Sequence, residues 1–233
     1  MPGCDKLPMR KLIALFLSLL AIAAQPAFAG EVVVTETVEE TVFVNEGGSE
    51  RFVASAPPVI PQGIAKFGPF RVLDATRVAL VDVTDARSPA QFAALLKAFP
   101  GVSLIEMIDC PGTEDDRANL ALGRLIHAKG IATHVPAGGS VRSGGVELFL
   151  AGAKRIADPG SEFAVHSWAD EDGREAKDYP ENAPENRAYL DYYAEMGMSA
   201  DEAKAFYAMT NSVPFESALW LGAPDMAKWV RLD

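Results

Sequence analysis

Ser143 stands in Gly138-Gly139-Ser140-Val141-Arg142-Ser143-Gly144-Gly145, a glycine-rich run followed by apolar Val146, Phe149 and Leu150. The pattern predicts a strand ending at Val135, a glycine-rich turn, and a helix opening near Ser143. A serine there has two advantages as a nucleophile. Unpaired N–H groups of a first helical turn can hold a developing oxyanion, and the positive end of the helix dipole favours the same charge. A serine at that position can also simply cap its helix, which is a common role. Nucleophilic chemistry at an alcohol needs a base within hydrogen-bond reach. Of the three histidines, His127 falls in a helical stretch and His134 in a buried strand, where a hydrogen-bonded structural role is ordinary. His166 ends a short strand before a polar loop, and a strand returning after the Ser143 helix would bring its imidazole beside that serine.

The elements that must position this pair alternate. Val78–Val83 reads as a buried strand. Ser88-Pro89 opens a helix, with serine as N-cap and proline at the first position. Phe92, Leu95, Leu96 and Phe99 form its inward stripe. A strand over Val102–Ile108, a helix over Asp115–Lys129 and a strand over Ile131–Val135 follow. This succession is α/β, with βαβ units and a largely parallel sheet. The C-terminal third reads as a helical arm: a helix from about Glu185 to Met196, another opened by the capping box Ser199 to Glu202, and a last one started by Pro224. Upstream, Glu31–Val53 reads as an extended hairpin turning at Gly47-Gly48. Ala54–Phe70, with Pro57, Pro58, Pro61 and Pro69, reads as a connector.

Composition narrows the function. The 233 residues carry a net charge of −11, and an acidic surface repels phosphates, so nucleic acid is not an expected partner. Lys6, Arg10 and Lys11 precede an apolar run over Leu12–Ala24 that ends near Ala27-Phe28-Ala29. This is the layout of a secretory signal cleaved after Ala29, and it implies a periplasmic or secreted protein. A retained membrane anchor is the alternative. Cys110 would then be the only cysteine left, so no internal disulfide is expected. Asp170, Glu171, Asp172 and Gly173 lack the spacing of a calcium loop, and no metal site or cofactor is expected. Tyr189, Tyr192, Tyr193, Trp220 and Trp229 read as packing or a subunit interface.

A strand, a Gly-rich turn, Ser-Gly-Gly at a helix start and then "LFLAGAKRIADPGSEFAVHSW" resemble the serine peptidase subunit of the Clp protease, in the wider ClpP/crotonase superfamily. The resemblance runs from about Arg77 to Asp233 and implies a spiral of βαβ units with a helical C-terminal arm. The longer pattern resembles an exported bacterial branch of ClpP-like proteins. By this match Ser143 is the nucleophile and His166 the base. The turn Cys110-Pro111-Gly112-Thr113 takes the place of the family's "SPGG". Its backbone N–H groups at Gly112 and Thr113, with that of Gly144, would form the oxyanion hole. The family's catalytic aspartate falls at Ala218, which leaves Glu216 and Asn211 as nearby substitutes for a third member. A peptide substrate would lie as an added strand beside Gly138, Gly139 and Ser140. The resemblance also implies a homo-oligomer, with a trimer-based ring as one arrangement. An exported protein would have no ATPase partner and would cleave extended or small peptides. The alternatives are a catalytically weakened binding or assembly protein on the same fold, and a crotonase-type acyl-CoA enzyme. Export disfavours the latter, since coenzyme A is cytoplasmic.

Overall fold

Phe70 and Val72 alternate with Arg71, and their side chains are fully buried, so the segment expected as a connector begins the domain instead. Strands β1 (Ala65–Phe67) and β2 (Phe70–Val72) form a hairpin through Gly68-Pro69, with proline outside the ladder where its missing N–H is harmless. The hairpin lies antiparallel to β3 (Arg77–Leu80). The computed structural model describes residue 54 and residues 58–233, all within one compact unit. The expected leader over 1–29 and hairpin over 31–53 lie outside the described residues.

Helix α1 (Ser88–Ala98) follows β3, with proline in its first turn. Arg87 holds the cap position rather than Ser88, because the Ser88 hydroxyl is engaged with Asp85, whose N–H donates to it at 2.9 Å. From here the chain coils between two sheets. It runs through β4 (Leu104–Met107), β5 (Asp109–Cys110) and helix α2 (Asp116–Ala128). The next turn is β6 (Ala132–Val135), β7 (Ser140–Arg142) and helix α3 (Gly144–Leu150). The last contributes β8 (Arg155–Ala157) and β9 (Glu162–Val165). The first sheet has the order β1-β2-β3-β4-β6-β8, parallel from β3 onward. In the second, β9, β7 and β5 are parallel neighbours. The α/β spiral of βαβ units expected from the sequence is the architecture observed. β7 is an addition, a strand within what reads as a glycine-rich turn.

All seven residues of α3 are buried, so this helix is the centre of the core, with Phe149 packed at a tilt on Phe163 of β9, ring centroids 4.9 Å apart. The arm consists of helices α4 (Pro184–Glu195) and α5 (Ala200–Thr210), packed together. The expected capping box is complete: Ser199 Oγ accepts from Glu202 N at 3.3 Å, and Glu202 Oε2 accepts from Ser199 N at 2.8 Å. A strand, β10 (Leu219–Gly222), then pairs antiparallel with β9 before the short final helix α6 (Ala223–Met226).

Candidate active site

The register of the second sheet gathers the site. Cys110 pairs with Val141, Val141 with Phe163, and Arg142 with Ala164. The chain therefore leaves β5, β7 and β9 at one end of three parallel strands, carrying Gly112-Thr113, Ser143 and His166 respectively. Ligands of open α/β sheets meet that carboxyl end.

Ser143 is strained. Its φ of 49° and ψ of −130° make it the only non-glycine residue with positive φ among the described residues. Two elements compel this. Its N–H donates to Ala164 O of β9 at 2.9 Å, while its carbonyl already accepts from Val146 N at 2.9 Å to start α3. Strand and helix share one residue, at a cost of about 1–3 kcal/mol for such a backbone. The hydroxyl makes no cap bond to its own helix, so the capping role weighed from the sequence is not the one it has.

The turn after β5 presses against this elbow. Gly112 has a φ of 135°, and a Cβ there would lie 2.9 Å from Ser143 Cβ. A Cβ on Gly144 would lie 2.7 Å from Thr113 Cγ2. Gly112 O accepts from Thr84 N at 3.1 Å, and since a trans peptide opposes its C=O and N–H, the Thr113 N–H points away from Thr84. Asn119 ties these parts together. Its Nδ2 donates to Gly144 O at 2.7 Å and its Oδ1 accepts from Thr84 Oγ1 at 2.9 Å. Sequence reasoning missed Asn119, although it lies on the stripe of α2 that carries Leu122 and Ile126, where a polar residue is out of pattern.

His166 Nδ1 lies 2.8 Å from Ser167 O. A carbonyl can only accept, so the proton sits on Nδ1 and the basic lone pair on Nε2. Phe215 stands edge-on to the imidazole at 5.3 Å, and its own N–H is held by Glu175 Oε1 at 3.0 Å. Ser143 and His166 line one cavity of about 190 Å³, together with Thr113, Gly144 and Asn211. Glu216 is exposed and does not line it. Asn211 Nδ2 donates to Tyr207 O at 2.8 Å. Among the described residues the Ser167 carbonyl is the group placed against His166 Nδ1.

Backbone bonds to neighbouring segments already engage Gly138–Ser140. Gly139 O accepts from Glu162 N, Ser140 N donates to Ile108 O, and β7 is flanked by β9 and β5. The other two histidines are structural: His127 Nδ1 meets Ala151 O at 3.2 Å, and His134 sits between Glu106 (2.6 Å) and Asp158 (3.2 Å). Burial pushes the Cys110 thiol far up, which excludes it as a thiolate nucleophile.

The far wall of the cavity is acidic and aromatic. Glu147, one turn past Ser143, is buried, and desolvation raises its carboxyl to about 7 against the bond from Tyr193 Oη at 2.8 Å. Asp116 is raised as well, chiefly by desolvation, and is hydrogen-bonded by the Tyr189 phenol. Neither acid was singled out from the sequence. Among the described residues no helix is long and apolar enough to cross a membrane, and no group of three His, Cys, Asp or Glu side chains is placed to hold a metal.

No family model matches the chain, and no curated protein matches it by sequence. By structure it is similar to a ClpP1 mutant from Listeria monocytogenes, at 19% identity and a TM-score of 0.46, over 67% of this chain and 88% of that one. It is similar also to the 1510-N membrane protease specific for a stomatin homolog from Pyrococcus horikoshii (16%, TM-score 0.43, 68% and 71%). A putative enoyl-CoA hydratase from Streptomyces coelicolor follows at 12% identity and a TM-score of 0.42, over 78% and 70%.

Proposed function

We propose that the protein is a serine hydrolase, a peptidase acting on extended or small peptides without an ATPase partner, of the ClpP/crotonase superfamily. The observation that carries this reading is the backbone of Ser143: a strained serine at a strand-to-helix elbow, not capping its helix, facing a cavity it shares with a histidine. Strain is retained where the surrounding structure enforces it, and such outliers cluster at functional sites. Ser143 Oγ attacks the scissile carbonyl as His166 Nε2 takes its proton. The imidazolium then returns that proton to the leaving amine, and a water, deprotonated by the same nitrogen, releases the acyl group. The N–H groups of Gly144 and of the Gly112-Thr113 turn receive the oxyanion.

The Ser167 carbonyl fixes the tautomer as a carboxylate would, but it adds no counter-charge to the imidazolium. Turnover should therefore fall below that of a full triad, in which losing the carboxylate's function costs about 10⁴. Export through residues 1–29 and a homo-oligomer belong to the same proposal.

A fluorophosphonate probe tests it. Labelling of the wild-type protein that disappears in Ser143→Ala supports the enzyme, and labelling that falls in His166→Ala supports the base. Folded wild-type protein that takes no label leaves the second reading, a binding or assembly protein, which the alanine at position 218 favours.

A further inference from the structure

The lining of the cavity beside Ser143 is one-sided. Carboxylates of Glu147 and Asp116 reach it, with the phenol rings of Tyr189, Tyr193 and Tyr207, and among the described residues no lysine or arginine lines it. The phenols satisfy single lone pairs. Tyr193 donates to Glu147 and Tyr189 to Asp116. Both donors are neutral, so neither brings a positive charge to the acids. A third acceptor points independently to a missing donor: Asn211 Oδ1 is buried with no hydrogen-bond partner among the described residues, while its Nδ2 is committed to Tyr207 O. A buried acceptor left unmatched loses its hydration with nothing in return, so what completes the pocket must bring N–H groups.

Charge, hydrogen bonding and shape then agree. Two carboxyls held only by neutral phenols, and one amide oxygen with no donor among the described residues, call for a group that only donates, which is the chemistry of guanidinium and ammonium. Aromatic rings around the acids suit a cation as well, since a desolvated cation is attracted by the ring quadrupole. Tyr189 and Tyr207 lie 5.9 Å apart, centroid to centroid, and Tyr189 and Tyr193 6.4 Å. About 190 Å³ holds one long side chain but falls short of the roughly 300 Å³ at which small-molecule pockets begin. The buried carboxyl of Glu147, raised to about 7, is what a desolvated acid shows when no cation compensates it.

We propose that this cavity is a specificity pocket for a cationic side chain, so that the preferred substrate is a peptide with arginine or lysine beside the scissile bond. The assignment of the bond rests on the hydrolase reading above; the assignment of the pocket does not.

The test separates the two. Calorimetric titration of the full chain with Nα-acetyl-arginine methylamide and with its citrulline counterpart compares a cation with a neutral group of nearly the same shape. The arginine compound should bind about 10- to 100-fold tighter, the range for a hydrogen bond to a charged group. Asp116→Asn and Glu147→Gln should each bring that ratio towards one. If Glu147→Gln does not fold, Asp116→Asn, at the solvent-reachable start of α2, decides alone. Equal binding of the two compounds, or binding of neither, overturns the pocket. Fluorophosphonate labelling of the same samples reads the hydrolase separately. Labelling without cation preference removes the inference and leaves the enzyme, whereas cation preference without labelling upholds the pocket and removes the enzyme.

Discussion

Buried charge flanks Ser143 on two sides, and the two sides are built differently. On the strand side Arg142, 2% exposed, meets Asp109 at 2.7 Å and also donates to Ser140 Oγ. On the helix side Glu147, 7% exposed, has a phenol and no cation. The first set is closed in charge: opposite charges cancel between β5 and β7 and fix the strand that carries the serine, while Arg142 Nε has no partner among the described residues. The second is open, and its uncompensated charge is a standing cost that burial alone would select against. A closed pair reads as scaffold, and an open one as a place for something that arrives later.

The strongest way to break this contrast is to open the closed side. Arg142→Met leaves Asp109 facing an apolar neighbour and should destabilise the fold by about 3–5 kcal/mol, measured by urea unfolding. Removing both charges, as Arg142→Met with Asp109→Leu, should recover most of that loss, because replacing a whole buried pair is often neutral. A single variant with wild-type stability would mean that the pair does not brace the elbow.

The open side makes a prediction in pH. The Glu147 carboxyl is raised from its ordinary 4.5 to about 7 in the folded chain, so the folded state holds its proton more tightly than the unfolded one. Stability is then greatest below about pH 4.5 as far as this group is concerned, and it falls as pH rises to about 7, by roughly 3 kcal/mol. Asp116, raised in the same direction, adds to the fall. Guanidinium unfolding across that window should show the slope in the wild type and a flatter curve in Glu147→Gln. Equal slopes in the two proteins would show that Glu147 is compensated already. Tyr192 and Tyr193, which face it from α4, titrate far above this window and do not disturb the reading.

The same contrast explains what could be read from the sequence. The βαβ succession, the capping box at Ser199 and the placement of Ser143 and His166 at element ends follow from local periodicity and punctuation. The misses depend on partners far along the chain. β7 is three residues containing a buried arginine, which makes sense only beside Asp109, 33 positions earlier. Glu147 reads as the exposed position of an ordinary helix, yet every residue of α3 is buried and its phenol partner lies 46 positions away. The strand pairing that occupies Gly138–Ser140 is equally non-local. The sequence offers Glu216 and Asn211, near position 218, as partners for His166. The structure places the Ser167 carbonyl against Nδ1, and every residue has a carbonyl, so composition carries no trace of it.

The smallest effect bears most directly on the nucleophile. If Ser143 is held in an unfavourable conformation, then among variants lacking the hydroxyl, the one that tolerates positive φ should be the more stable. Ser143→Ala keeps the Cβ that makes φ 49° costly, and Ser143→Gly removes it. Relief of about 1–3 kcal/mol is offset by the roughly 0.5–1 kcal/mol that glycine loses in ordering the chain. Ser143→Gly should therefore exceed Ser143→Ala by about 1 kcal/mol in unfolding free energy, with both inactive. The reverse order would mean that the elbow is not strained, and the argument from backbone to nucleophile would lose its first step.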